Sequence, residues 1–199
     1  MPAIDKLHQA FQLFDKANQQ DPNSEEYMGR TYPKEVLYAI RMTEKLNDFA
    51  PDASEALRLT ARCQHIQRWE IPRDSYDMER VGYLKWRQDL KKFHAQKARE
   101  ILEEVGYDEE TIAKVAFLLQ KKQLKKNEDT QTLEDVICLV FLEFYVEPFA
   151  AEHPEEKIID ILQKTWRKMS EKGHKAAMGL PLSKKSLALV SKAVGGNVL

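Results

Sequence analysis

The 199-residue sequence contains few residues that interrupt helices and lacks the long apolar segments of membrane proteins. Seven glycines and eight prolines are too few for a chain built from many turns. No apolar run approaches the roughly 20 residues that a membrane helix needs, and the nearest, Val136 to Val146, contains Glu143. The first residues also lack the basic and apolar pattern of a secretory signal. These absences predict a cytoplasmic protein that does not enter a membrane.

Several motifs of catalysis and cofactor binding are also absent. We find no P-loop, no dinucleotide glycine fingerprint, no HExxH zinc motif and no GxSxG nucleophile elbow. The two cysteines, Cys63 and Cys138, both lie in apolar helical patterns, which predicts reduced core thiols rather than a disulfide. No organic cofactor is therefore predicted, and thiol chemistry has no support.

The charge is abundant but balanced. Thirty-one Lys and Arg stand against 32 Asp and Glu, a formal net charge of −1, which gives no global attraction to DNA or to an anionic membrane. Two basic runs, 121–126 and 166–179, are interpreted as solvated helix surface. The balanced charge is compatible with weak RNA binding by these runs and with a local basic pocket. A homo-oligomer is also compatible with the sequence.

Apolar residues recur with helical spacing along the chain, without sustained strand alternation. The pattern predicts an all-α single domain, residues 1–199, of about eight helices, with a loop from Asn18 to Arg30. The predicted helices span about 2–17, 33–48, 53–69, 78–105, 108–122, 132–146, 154–170 and 183–194.

Four ligand-type residues lie on four different predicted helices. Glu35, His94 and Asp135 interrupt otherwise apolar rows, and His65 lies beside one. Buried carboxylates are costly unless they are paired or bound to a metal. Together the four could hold one divalent metal ion, Zn, Mn or Fe. The alternatives are a hydrogen-bonded core histidine and an acid that complements a helix dipole.

The segment QHIQRWEIPR combines basic and aromatic residues. Arg62, His65, Arg68 and Trp69 lie on one broad side of a helix, and Arg73 follows. Arginines recognise phosphate or carboxylate, and a Trp face can stack on a base, so this segment predicts an anion or nucleotide pocket. The alternative is an ion-pair network with the acids Glu70, Asp74, Asp77 and Glu79.

Several strings resemble one known family over nearly the whole chain. They are DPN (21–23), RMT (41–43), PDAS (51–54), QHIQRWEIPR (64–73), GYLKWR (82–87), FHA (93–95) and LEDVICLVFLE (133–143). They resemble the family catalogued as domain of unknown function 4202, which implies no established activity.

A more distant resemblance is to the HD superfamily of helical metal-dependent phosphohydrolases. Glu35 stands where the first His of that family would be, and Gln64 and His65 replace its His-Asp pair. His94 resembles the later His, and Asp135 the final Asp. This resemblance implies a single-metal site, since Gln is a poor ligand. It also implies an HD-like core over about 33–146, on which the terminal helices pack.

These observations together predict a degenerate HD-like hydrolase of a small phosphate-containing, nucleotide-like substrate. In this hypothesis the metal lowers the pKa of a water molecule that attacks phosphorus. The predicted metal ligands are Glu35, His65, His94 and Asp135, and the predicted substrate-binding residues are Arg62, Arg68, Trp69 and Arg73. The alternative is a non-catalytic ligand-binding or regulatory module that has lost the metal pair. A third hypothesis is a relative that uses iron for oxygen chemistry.

Overall fold

A computed structural model describes residues 5–195, and this part of the chain forms one predominantly all-α domain. It contains ten α-helices and one small β-hairpin, so the predicted fold class is confirmed. The elements are α1 (Lys6–Asn18), β1 (Ser24–Tyr27), β2 (Arg30–Pro33), α2 (Lys34–Phe49), α3 (Glu55–Cys63), α4 (Arg80–Val105), α5 (Glu109–Leu119), α6 (Glu128–Val140), α7 (Val146–Glu152), α8 (Glu155–Lys168), α9 (Glu171–Ala177) and α10 (Lys184–Val194).

Short polar side chains fix where several helices begin. Ser54 accepts a hydrogen bond from the backbone N–H of Leu57 and caps α3, and Asp108 caps α5 in the same way. Such caps satisfy N–H groups that have no partner within the helix. Gly106 ends α4 with a φ of 86°, a left-handed conformation in which glycine is the usual residue.

The predicted loop 18–30 is partly wrong, because the structure forms an antiparallel hairpin there. Strands β1 and β2 pair from Ser24 opposite Pro33 to Tyr27 opposite Arg30. Met28 and Gly29 form the two-residue turn, and both have positive φ, as a type I′ turn requires. Met-Gly is not a typical sequence for that turn, so the hairpin carries little sequence signal.

Other boundaries also differ from the predicted ones. The third predicted helix ends at Cys63 and continues into turns and two 3₁₀ segments, Arg68–Glu70 and Arg73–Ser75. Helices α7 and α9 were not predicted. The first helix begins at Lys6, and residues 2–4 of its predicted span lie outside the described residues.

The core consists of three hydrophobic clusters. One joins α1, α3, α4 and α5, the second joins α2, α3, α5 and α6, and the third joins α6 to the C-terminal helices. Helix α6 belongs to two of them, as its nearly continuous apolar sequence predicts. Cys63 and Cys138 are buried free thiols, which confirms their prediction. None of the helices in residues 5–195 is long and apolar enough to cross a bilayer.

Candidate functional site

A pocket of about 310 Å³ lies between five helices and the loop that follows α5. The start of α2, the C-terminal end of α3 with the turn after it, α4, α6 with its π-helical extension, and the end of α8 form its walls. Its lining residues are Lys34, Glu35, Tyr38, Gln64, His65, Arg68, Arg87, Lys121, Glu134, Ile137, Cys138, Phe141, Tyr145, Thr165 and Lys168. We refer to it as the central pocket.

Glu35 and His65 form a hydrogen-bonded pair in this pocket. The Nδ1 atom of His65 lies 3.2 Å from Oε2 of Glu35. Burial raises the pKa of Glu35 to about 7, although the charge of Arg68 opposes this shift. Burial, together with Arg68, lowers the pKa of His65 well below its usual value. At neutral pH the imidazole is therefore uncharged, and the carboxyl group can both give and accept a proton.

Aromatic residues form one wall of the central pocket. The ring of Tyr38 stacks on the ring of His65 with their centroids 4.0 Å apart. The ring centroid of Tyr145 lies 6.1 Å from that of Tyr38. Residues Phe141–Tyr145 continue α6 as a π-helix, a rare conformation that is frequent at functional sites. The segment contributes Phe141 and Tyr145 to the pocket, so the pocket offers a flat apolar surface beside its charged one.

Lys121 corrects the interpretation of the first basic run as solvated surface. Its backbone adopts a φ of 54°, unfavourable for a residue with a side chain. Its Nζ atom donates to Oε2 of Glu134 at 2.6 Å, and only 12% of the side chain is exposed. Lys168 approaches the other oxygen of Glu134 at 3.6 Å. The loop after α5 thus directs one lysine of the run inward.

Two further cations line the pocket, Arg68 and Arg87. Gln67, which precedes Arg68, has a φ of 47°, and its N–H donates to Oδ1 of Asn18 at 2.9 Å. This turn directs the chain after α3 so that His65 and Arg68 both line the pocket. The guanidinium of Arg68 lies 4.9 Å from the ring centre of Trp86, a distance at which cation–π attraction operates.

Of the four predicted substrate-binding residues, the structure places only Arg68 in the central pocket. Arg62 forms an ion pair with Asp15, 2.8 Å from Nε to Oδ1. Arg73 donates to the backbone carbonyls of Tyr76 and Asp77. Trp69 is half-buried and is not among the pocket residues. Arg62 and Arg73 therefore hold loops and helices together.

The predicted metal ligands are brought together only in part. His94 lies next to His65, with ring centroids 6.0 Å apart, so Glu35, His65 and His94 are neighbours. Burial and the charges of Arg68 and Arg87 lower the pKa of His94 to about 3. All three side chains lie at or beside the central pocket, and Glu35 and His94 are buried, as predicted.

Asp135 is buried, as predicted, but its carboxylate has a different role. Its oxygens accept hydrogen bonds from the N–H and hydroxyl of Ser170 at 2.8 and 2.5 Å and from the amide of Gln131. Gly173 packs so closely that a Cβ there would lie 2.6 Å from Oδ1 of Asp135. The carboxylate therefore joins α6 to the start of α9.

The donor set does not fit the predicted metal centre. Within residues 5–195 no group of three or more His, Cys, Asp or Glu side chains is arranged to hold a metal ion. Glu35 and His65 bond to each other, and Asp135 bonds to Ser170. These bonds already occupy the carboxylates and the Nδ1 atom that a metal ion would need.

Five charged residues of the central pocket were not predicted as site residues. Glu134 is next to Asp135, whose burial was predicted, and Lys121 was interpreted as part of a solvated surface run. Lys168 belongs to the second basic run, 166–179, which was also interpreted as solvated surface but here lines the pocket. Lys34 and Arg87 carry no signal beyond their charge, because their positions in the pocket depend on how distant helices pack. The neutral thiol of Cys138, whose pKa burial raises to about 12, is not an activated nucleophile.

Comparison with known proteins identifies the family. The family described as domain of unknown function (DUF4202) matches residues 8–190. The chain belongs to the DUF4202 family. This confirms the resemblance inferred from the sequence strings, whereas nothing in the comparisons supports the HD superfamily. No curated protein and no solved structure matched the chain.

Proposed function

We propose that this DUF4202 protein binds a small phosphate-containing, nucleotide-like molecule in the central pocket. The observation that supports the proposal is the charge of the lining. Lys34, Arg68, Arg87, Lys121 and Lys168 face only two carboxylates, those of Glu35 and Glu134. A chain with a net charge of −1 thus concentrates positive charge in one concave site, where it attracts anions.

The aromatic wall supports the nucleotide-like character of the ligand. Tyr38, Phe141 and Tyr145 lie in the same pocket as the cations, so an anionic group and a flat apolar group can bind side by side. A volume of about 310 Å³ is at the lower end of the range typical of small-molecule sites. A mononucleotide or another small aromatic phosphate matches this combination.

Substitution of Arg87 tests the proposal. Isothermal titration calorimetry with a panel of nucleoside monophosphates and aryl phosphates measures the dissociation constants. We expect Arg87→Gln to weaken binding about tenfold or more, since a hydrogen bond to a charged group contributes roughly 1.5–3 kcal/mol. Arg80→Gln, at the exposed start of the same helix, is the matched control. Binding that is insensitive to Arg87→Gln contradicts the proposal.

A second candidate function is hydrolysis of the bound phosphate ester, and the Glu35–His65 pair favours it. In this scheme a water oxygen bonds to phosphorus while the ester P–O bond breaks. The Glu35 carboxylate takes a proton from the water and then gives this proton to the leaving oxygen. His65 holds the carboxyl group in place through the 3.2 Å contact. A pKa near 7 suits a group that serves as both base and acid.

Phosphate release from the panel, followed with and without chelator, tests the second candidate. Glu35→Gln is expected to abolish turnover while leaving ligand affinity within a few fold, and Glu44→Gln, an exposed acid on α2, is the control. Zn, Mn and Fe content of the purified protein is measured alongside. Turnover that depends on stoichiometric metal would restore the metal-dependent hypothesis and overturn this scheme. If ligand binds without turnover, the protein is a binding module.

A further inference from the structure

A second, smaller cavity of about 20 Å³ lies directly behind the central pocket. The two share Gln64, His65, Arg68, Arg87 and Lys121 as lining residues. The remaining walls of the small cavity come from α4 and α5, through Leu90, Lys91, His94 and Leu119. We call it the inner cavity. Because these five residues line both spaces, the inner cavity borders the central pocket.

The inner cavity is lined by cations without a carboxylate. Arg68, Arg87, Lys91 and Lys121 contribute four positive charges, and neither Glu35 nor Glu134 is among its lining residues. Among the ion pairs within residues 5–195, Lys121 with Glu134 is the one that involves a cation of this cavity. Burial lowers the pKa of Lys91, and repulsion from the charge of Arg87 lowers it further. An anion in the cavity would offset this repulsion.

Two buried polar atoms of the inner cavity have no hydrogen-bond partner in the described structure. They are Nε2 of His94 and Oε1 of Gln64, on side chains that are 5% and 6% exposed. Buried polar groups are nearly always hydrogen-bonded. The neutral imidazole of His94 can donate from Nε2 to an oxygen, whereas Oε1 of Gln64 can only accept and needs a donor such as water. His94 is therefore the group that is available to an anionic oxygen.

The size of the inner cavity restricts the ligand. A space of about 20 Å³ holds one or two oxygen atoms, so only the end of a ligand can enter. A phosphate monoester has a terminal group with three free oxygens and up to two negative charges. A phosphodiester has a substituent on each side of phosphorus and a single charge. The cavity can admit a free oxygen of either ester, but the higher charge of the monoester matches its four cations better.

We propose that the inner cavity receives terminal phosphoryl oxygens of a phosphate monoester. This inference rests on the proposed binding of a phosphate-containing ligand in the central pocket. Lys91, Arg87 and His94 donate hydrogen bonds to these oxygens, and the rest of the molecule lies in the central pocket against the aromatic wall. The ligand class is thus narrowed to phosphate monoesters, and phosphodiesters are selected against. Lys91 and His94 are specificity-determining residues of this site.

Matched pairs of probes test the ligand class. Dissociation constants are measured by titration calorimetry for adenosine 5′-monophosphate and its 3′,5′-cyclic diester, and for phenyl phosphate and its methyl ester. We expect each monoester to bind at least tenfold more tightly than its diester. Equal affinities within both pairs overturn the inference but leave the proposed function intact. If no phosphorylated probe binds, the proposed function fails as well.

Substitution at Lys91 tests the inner cavity itself. Lys91 lines the inner cavity but not the central pocket and is half-buried, so Lys91→Gln is expected to fold. It should weaken monoester binding about tenfold and leave diester binding unchanged, and His94→Gln should act in the same direction. Lys92→Gln, at the exposed neighbouring position, is the control. Monoester binding that is insensitive to both substitutions shows that the cavity holds only solvent and overturns the proposal.

Discussion

At the scale of single residues, the pocket keeps a carboxyl group in an environment that opposes its charge. Glu35 is only 7% exposed, and Asp21 and Glu25 add repulsion while Arg68 and Lys34 reduce it. The net effect raises its pKa from 4.5 to about 7. Because the folded state binds this proton more tightly than the unfolded state, stability falls as the pH rises through that window.

Glu35→Gln is therefore expected to stabilise the protein at alkaline but not at acidic pH. The pKa shift corresponds to a loss of about 3 kcal/mol of folding stability at pH 8. This loss is absent below pH 4.5, where the carboxyl is protonated in both the folded and the unfolded state. Urea unfolding at pH 4 and pH 8 measures the difference. Glu44→Gln on the exposed side of α2 controls for loss of a surface charge. A stability difference that is the same at both pH values contradicts the raised pKa.

Asp135 is expected to matter for stability and not for the ligand. Asp135→Asn removes the charge from a buried acceptor of two Ser170 hydrogen bonds and should cost about 2 kcal/mol. Affinity for phosphate probes, measured on the folded variant, should stay within twofold of the wild type. Chemical unfolding measures the free energy of unfolding, and titration calorimetry measures the affinity for the phosphate probes. A folded variant that has lost ligand binding would place Asp135 in the site after all.

At the scale of elements, the hairpin before α2 helps to fix the aromatic wall. Nη1 of Arg41 donates to Glu25 on β1 at 2.7 Å and to the hydroxyl of Tyr145 at 2.9 Å. Its guanidinium also lies 4.6 Å from the ring centre of Tyr27. Because Tyr145 lines the central pocket, the hairpin is linked to the site through one buried arginine. Hairpin stability and pocket geometry should therefore be coupled.

Met28→Asn is expected to stabilise the hairpin. Met28 has a φ of 49° and is 85% exposed, so little packing is lost, and Asn tolerates this conformation better in a type I′ turn. The gain in the free energy of unfolding should be about 1 kcal/mol, because the left-handed conformation costs ordinary residues roughly 1–2 kcal/mol and Asn adopts it more readily. Met78→Asn, at an exposed methionine without a positive φ, should give no gain. Equal effects of the two substitutions would exclude the turn conformation as the cause.

The elements also show which parts of the molecule local sequence could predict. Helical periodicity predicted α2 and α4 closely and the burial of Glu35, His94 and Asp135, because an apolar row is a local pattern. The partner of Asp135 is Ser170, 35 residues later, and periodicity carries no information on such a pair. Lys121 was assigned to the surface because it lies in a run of lysines. In the structure its left-handed backbone turns its side chain inward, and the sequence gives no sign of that conformation. The site therefore depends on long-range packing that local patterns do not encode.

At the scale of the whole molecule, charge is balanced overall but not evenly distributed. The net charge of −1 gives no long-range attraction for anions, whereas the central pocket has five cations against two carboxylates. Attraction of a phosphorylated ligand must therefore act over short distances inside the pocket. At 0.1 M salt the attraction between exposed charges that are more than about 10 Å apart is largely screened. Attraction between partly buried charges is screened less.

Ligand binding is therefore expected to weaken moderately with salt. Between 0.05 and 0.5 M NaCl the dissociation constant of a nucleoside monophosphate should rise severalfold, because chloride also competes for the cations. The unphosphorylated nucleoside, which contacts only the aromatic wall, should show little change, and so serves as the control. Calorimetric titrations over this salt range measure both. If the monophosphate binds with an affinity that is independent of salt, the cationic half of the pocket does not hold the phosphate, and the aromatic wall alone would account for binding.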